Sequence, residues 1–255
     1  MARDKQKNRK TPKNPAEPKL SKKEKKENRD VPIINEPILE EQSRNDLKAQ
    51  LLTAEPYKYL HIKNLFNPSK LRLAQDEAKH HLTAEFKESD LFKVFQTMDL
   101  GNLLTNQENK SKIFHLLKFK EYLYSSEFRQ FVSDITGVED LTDRTDCSMN
   151  IYTNSCHLLC HDDVIGTRRV SYIIYLTDPD EEWVAEDGGA LELYPLEPSS
   201  VVERSEGGKQ GIPTALPSVS LLPTFNSMII FPVQPGRSYH SVQEVFSDKA
   251  RMSIR

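Results

Sequence analysis

The sequence predicts an α+β chain in which helices come first and a sandwich or barrel of short strands follows. Before Gly137, apolar residues recur at helical spacings behind recognisable cap residues. After it, short runs rich in Val, Ile, Tyr, Phe and Leu alternate with turn signals, the pattern of an all-β unit. The length of 255 residues and the 37% hydrophobic content suffice for a real core.

Residues 1 to 30 carry twelve Lys and Arg against five Asp and Glu, so this segment is +7 and the remainder about −10. With Leu20 almost its only apolar side chain, it cannot offset the entropy of ordering and is expected to be disordered. Its run Lys22-Lys23-Glu24-Lys25-Lys26 suits a nuclear-import signal, a weak electrostatic hold on RNA, or a solubilising tail. No apolar run reaches the roughly 18 residues that cross a bilayer, so no membrane association is expected. Three cysteines, Cys147, Cys156 and Cys160, point to free thiols and an intracellular protein.

Residues 31 to 56 read as a linker with a short helix, its leucines at 39, 47, 51 and 52. Tyr57 to Phe66 alternates as a strand, and Asn67-Pro68 opens a helix through Leu71, Ala74 and Ala78. His80 and His81 are neighbours that point in different directions on a helix and are expected at its surface. Asp90 to Leu100 is apolar, with no clear period. A second helix starts at Ser125 or Ser126, buries Phe128, Phe131, Val132 and Ile135, and stops at Gly137. The strand-like runs are then CSMNIYTN, CHLLCHD, RRVSYIIYLTD, GGALELYPL, VSLLPTF, NSMIIFPV, YHSVQEV and RMSI. Residues 195 to 217 are polar and glycine-rich and are expected to form a long exposed loop.

The chemistry centres on His161-Asp162-Asp163. Side chains two apart on a strand share a face, so His161 and Asp163 would present an imidazole and a carboxylate together, with Asp162 opposite. A third ligand is available in His240, 79 residues downstream after the run Ser227 to Phe231 and its PVQPG turn. Two His and one carboxylate leave open positions on a metal, as in non-heme iron(II) oxygenases. Arg251 opens the apolar run RMSI and shares a face with Ser253; a buried guanidinium needs an anion, and a dicarboxylate is a natural partner. Tyr152 and Tyr175 would add phenolic hydrogen bonds to that acid, or act as core aromatics. The run from Cys156 to His161 spaces its cysteines too widely for heme attachment and lacks the second pair of a closed zinc site. Asp187-Gly188-Gly189 reads as a turn at positive φ that brings the backbone near the metal.

The order HDD, RRVSYIIYLTDP, EDGGALELY, NSMIIFPVQPGRSYHSVQEV and RMSI resembles the iron(II)- and 2-oxoglutarate-dependent prolyl 3-hydroxylases of a small-subunit ribosomal protein, over about Tyr57 to Arg255. The resemblance implies a double-stranded β-helix, a jelly-roll barrel with flanking helices, as an oxygenase domain over residues 57 to 255. It implies iron held by His161, Asp163 and His240, and 2-oxoglutarate anchored by Arg251 in a pocket lined by Tyr152, Tyr175 and, more weakly, Leu158. Dioxygen and L-ascorbate are the further implied cofactors, a ribosomal protein the implied partner, and nucleus and cytoplasm the implied location. Family members continue into a second barrel, so residues 57 to 255 are expected to end within the last strand, as a fragment or after loss of that domain. The alternative expectation is a non-catalytic barrel that binds a protein or RNA.

Overall fold

The computed structural model describes residues 32–203 and 208–255. The basic segment 1–30, with its expected disorder, lies outside the described residues.

The described chain opens with helices α1 (Glu36–Leu39) and α2 (Glu41–Thr53), strand β1 (Leu60–Lys63) and helix α3 (Pro68–His81). Asn67 caps α3 as its sequence predicts, its side chain accepting from the Lys70 amide at 3.2 Å with Pro68 in the first turn. A hairpin follows, β2 (Ala84–Glu88) and β3 (Phe92–Thr97), so the apolar run at 90 to 100 resolves as a strand. Then come α4 (Gln107–Lys112), α5 (Phe114–Leu123) and α6 (Ser126–Thr136). Ser125 caps α6 through the Phe128 amide, and Gly137 ends it at φ 72°, a backbone that a residue with a Cβ adopts only at a cost.

The strands after Gly137 are β4 (Met149–Tyr152), β5 (His157–His161), β6 (Val170–Tyr175), β7 (Leu191–Leu193), β8 (Val202–Glu203), β9 (Lys209–Gln210), β10 (Val219–Leu221), β11 (Ser227–Pro232), β12 (His240–Val242) and β13 (Arg251–Ile254). Apart from the small hairpin β8–β9, they divide between two four-stranded antiparallel layers. One runs β11-β6-β13-β4, with β1 on its edge, and the other β5-β12-β7-β10. Strand β3 pairs both β4 and β5 and joins the layers. This is the jelly-roll barrel expected from the resemblance.

The two layers differ in sequence because they differ in burial. Strand β11 is buried on both faces and reads as a continuous apolar run, with Met228 and Ile230 against the helices and Ile229 and Phe231 inside the barrel. Strand β5 covers only one side, and Leu159 and Cys160 face solvent. The helical core gathers Leu71 and Ala74 of α3, Leu116 and Phe119 of α5, and Phe128 and Ile135 of α6 under the first layer. Ile34 and Leu51 are buried in the same cluster. Each Leu, Ile or Phe among them contributes roughly 1.5–3 kcal/mol by leaving water. His80 and His81 are exposed at the end of α3.

The region from 195 to 217 departs from the expected loop. It contains a short 3-10 turn at Pro198–Ser200, the β8–β9 hairpin and a bridge between Leu196 and Pro213. Residues 204–207 of it lie outside the described residues. Backbone pairing rather than side-chain burial orders the rest, since Val202, Ile212 and Leu216 remain exposed.

All three cysteines are free. Burial pushes the Cys147 thiol up to about 12, although its Sγ lies 2.8 Å from the Tyr172 hydroxyl, which favours the thiolate. Partial desolvation, followed by the charges of Asp162 and Glu192, pushes the Cys160 thiol up to about 11 although the residue reaches the surface. At pH 8 the thiolate fraction of Cys147 is then on the order of 1 in 10,000. A native disulfide-exchange titration at pH 8 should therefore modify exposed Cys160 slowly and leave buried Cys147 and Cys156 untouched until denaturant is added. Rapid native labelling of two thiols would contradict this burial.

Candidate metal centre

The site is built where β5 ends and β12 begins. His161 and His240 are direct cross-strand partners, which brings their ring centroids to 4.3 Å. Asp163 joins them from beyond the strand: β5 stops at His161, and Asp163 takes φ 61°. Strand alternation over 161 to 163 is therefore not what places the carboxylate. A left-handed turn does so, at a conformation Asp tolerates better than most residues. Such local strain concentrates at functional sites.

Ligand atoms of His161, Asp163 and His240 all lie within 4.8 Å of one another. His161 Nε2 is 3.2 Å from Asp163 Oδ1, and His240 Nε2 is 3.6 Å from Asp163 Oδ2. The other ring nitrogens face backbone carbonyls, His161 Nδ1 at 2.8 Å from Leu159 and His240 Nδ1 at 2.9 Å from Ser238. A carbonyl can only accept, so each Nδ1 carries the proton and each Nε2 presents its lone pair to the centre. This carbonyl support is the usual arrangement behind a metal-binding histidine. His161 Nε2 is buried and has no aligned hydrogen-bond partner, which leaves it available as a ligand.

Electrostatics favour the same protonation states. Burial, followed by the neighbouring His161, lowers His240 to about 3 against a smaller opposing pull from Asp163, so the imidazole is neutral near pH 7. For Asp163, burial works to raise the carboxyl but is outweighed by the His161 contact and the charge of Arg255. The net effect holds Asp163 well below the usual carboxylate range. Two imidazole Nε2 atoms and one carboxylate, with open space on one side, match a divalent first-row metal, and the residues present fit iron(II).

The supporting contacts include several that sequence reasoning missed. Ser171 Oγ donates to Asp163 Oδ2 at 2.7 Å, Arg168 lies 3.2 Å from Oδ1, and Arg255 donates to the same oxygen. Period-two alternation along β13 carried a usable signal for Arg255, since it continues the face that bears Arg251 and Ser253. Asp162 ties the two halves of the site together. Its Oδ2 accepts from the Gly236 amide at 2.8 Å, and its carbonyl accepts from Ser238 Oγ at 3.1 Å, pinning the turn that delivers His240. Phe231 packs edge-on against the His240 ring at 4.9 Å.

Arg251 is 1% exposed, yet it forms no ion pair among the described residues. Its Nε donates to the Gly189 carbonyl at 2.7 Å, and Nη2 lies 3.4 Å from the Tyr175 hydroxyl. The guanidinium sits over the rings of Tyr152 and Tyr175 at 4.8 and 5.0 Å. A fixed buried cation with only neutral partners creates a place for an anion. Burial raises the pKa of both phenols, against the opposing pull of Arg251, so they remain neutral donors. Of the glycine pair, Gly189 lies against this residue, whereas Gly188 lies against the Glu244 backbone. A Cβ on Gly189 would stand 3.1 Å from Arg251 Cδ, at φ 68°.

A cleft of about 490 Å³ reaches the centre, with Tyr152, Leu158, His161, Asp163, Arg168 and Arg255 among its walls. Arg251 lies behind Tyr152, which belongs both to the cleft and to the arginine's surroundings. The structure thus brings together His161, Asp163 and His240 around one point, with Arg251, Tyr152 and Tyr175 grouped beside it and Leu158 on the cleft wall.

Residues 147–255 match the model of the 2OG-Fe(II) oxygenase superfamily. Among curated proteins, the chain is similar to the prolyl 3,4-dihydroxylase OGFOD1 of Ostreococcus tauri, with 49% identity over 206 residues, 80% of this chain and 38% of that protein. It is 36% identical over 177 residues to the prolyl 3-hydroxylase OGFOD1 of Xenopus laevis, covering 68% of this chain and 29% of that one. The chain thus spans well under half the length of these relatives. Among solved structures, a Pseudomonas putida prolyl-4-hydroxylase superposes with a TM-score of 0.54 at 14% identity, over 83% of this chain and 96% of that one. A Trichoplax adhaerens prolyl hydroxylase, solved with a hypoxia inducible factor peptide fragment, gives 0.55 at 17% identity, over 84% and 88%. These two likenesses concern the fold.

Proposed function

Because residues 147–255 match the 2OG-Fe(II) oxygenase superfamily, we propose that this chain is an iron(II)- and 2-oxoglutarate-dependent dioxygenase that hydroxylates a prolyl residue of a protein. The observation that carries this reading is the convergence of His161, Asp163 and His240 next to a buried arginine that has no ion-pair partner among the described residues. The substrate we infer is a small-subunit ribosomal protein, supported by the motif order from HDD to RMSI. The basic segment 1–30 supports a nuclear and cytoplasmic location and a weak contact with RNA.

In this reading His161, Asp163 and His240 hold the iron through two Nε2 atoms and a carboxylate oxygen. Bound iron supplies the redox chemistry, in which 2-oxoglutarate is oxidatively decarboxylated to succinate and CO2 while dioxygen gives one oxygen atom to succinate and the other to the proline. Ascorbate serves as the reductant that keeps the iron ferrous. Arg251, with the Tyr175 hydroxyl, binds the far carboxylate of 2-oxoglutarate, and Tyr152 closes the wall between that carboxylate and the cleft. Leu158 adds an apolar surface at the cleft that excludes water.

The experiment supplies purified protein with iron(II), ascorbate and carboxyl-labelled 2-oxoglutarate, with and without proteins extracted from the small ribosomal subunit. Labelled CO2 should rise several-fold with the extract, and mass spectrometry should find an added oxygen on one proline. CO2 release that no extract protein stimulates, with no oxidised proline, would overturn the proposed activity.

A further inference from the structure

The wall of the cleft facing the metal centre carries a chain of side-chain amides with no role in holding metal or 2-oxoglutarate. Lys87 Nζ on β2 donates to Gln96 Oε1 on β3 at 2.8 Å. Gln96 Nε2 in turn donates to Asn150 Oδ1 and Ser148 Oγ, each at 3.0 Å. Gln96 and Asn150 are direct cross-strand partners, so the chain is held by backbone register. Both Nε2 hydrogens of Gln96 are spent, and the aligned dipoles polarise one another toward Asn150.

At the end of this chain Asn150 is only 3% exposed, yet it is a wall of the cleft. Its Oδ1 is taken by Gln96, while its Nδ2 has no hydrogen-bond partner among the described residues. The Nδ2 opens onto the cleft, where water accepts from it until an acceptor on a ligand takes that place. Asn150 also lies two residues before Tyr152 on β4, and alternation gives them the same face. Its donors therefore open onto the same space as the triad.

We propose that Asn150, oriented by Gln96 and Lys87, donates to a backbone carbonyl of the substrate peptide and so positions the segment that carries the target proline. This rests on the prolyl-hydroxylase reading above and deepens it. Proline lacks an N–H, so an extended segment around it presents more acceptors than donors. A wall that ends in a free, polarised donor complements such a segment, whereas a wall offering acceptors would not. The occupant is an extended polypeptide, recognised through its main chain.

The test compares wild type with Asn150→Asp, which keeps the shape and the bond from Gln96 but replaces the donor with an acceptor. Wild type is first run on proteins extracted from the small ribosomal subunit, and the oxidised segment found by mass spectrometry is then synthesised as the peptide substrate. Asn150→Asp should raise the KM for that peptide at least tenfold while changing kcat less. Lys87→Met, at an exposed position linked to Asn150 through Gln96, should raise the same KM by about two- to fivefold. Thermal stabilisation by manganese(II) plus 2-oxoglutarate, retained in both variants, shows that the fold and the metal centre survive. An unchanged peptide KM in Asn150→Asp, or a fall in kcat alone, overturns the positioning role while leaving the activity standing. If wild type oxidises none of the proteins, the prolyl-hydroxylase reading fails and this inference fails with it.

Discussion

Asp163→Ala should abolish metal binding at micromolar iron and with it all turnover. Asp163 is the one anionic member of the triad and lies about equally close to both Nε2 atoms, at 3.2 and 3.6 Å. Its loss removes a ligand and also leaves Arg168 and Arg255, which both face Asp163 Oδ1, without their counter-charge. A dication would then meet two guanidiniums and no anionic ligand in a site of low dielectric, where like charges repel strongly. Losing an outer-shell partner of a metal ligand typically costs 10- to 100-fold in affinity, and losing the only anionic ligand should exceed that range. Iron content after anaerobic reconstitution, measured beside wild type, decides the matter. Stoichiometric iron in Asp163→Ala would refute the assignment.

The second large effect is expected at Arg251. Arg251→Ala should raise the requirement for 2-oxoglutarate by two to three orders of magnitude. Truncating one partner of a fully buried charge pair costs roughly 2–5 kcal/mol, on the order of 30- to 4,000-fold. Arg251 sits at the upper end of such cases because Gly189, Tyr175 and Ser253 already fix its guanidinium before any ligand arrives. Little ordering entropy then opposes binding. The variant should fold, since a buried cation without an ion pair is a weak contributor to stability. Titration of 2-oxoglutarate against the manganese-loaded variant reads the effect directly, and an unchanged affinity would reject the anchoring role.

Most of the barrel was legible because burial imprints itself on its strands. The run SMIIF is apolar throughout since β11 is covered on both faces, and all eight strand-like runs after Gly137 contain a strand. The caps at Asn67 and Ser125 were equally readable, because a side-chain acceptor is needed wherever a helix begins. The hairpin β2–β3 was harder, since AEFKE is exposed at nearly every position and its pairing depends on partners distant in sequence. In the site, the triad and Arg251 could be found because charged groups stand out between apolar strands. The turn at Asp163 could not, because nothing in HDD distinguishes a continuing strand from a left-handed residue. The Lys87-Gln96-Asn150 chain was also hidden, since it joins residues up to 63 positions apart through register alone.

The most direct test of the central claim, a three-residue iron centre that makes a 2-oxoglutarate site beside Arg251, is anaerobic calorimetry on the wild-type protein. Iron(II) should bind in a 1:1 ratio, and 2-oxoglutarate should bind tightly only after the metal is in place. Both signals should vanish in His161→Ala/Asp163→Ala. Tight 2-oxoglutarate binding without metal, or iron binding that survives the double substitution, would contradict the account.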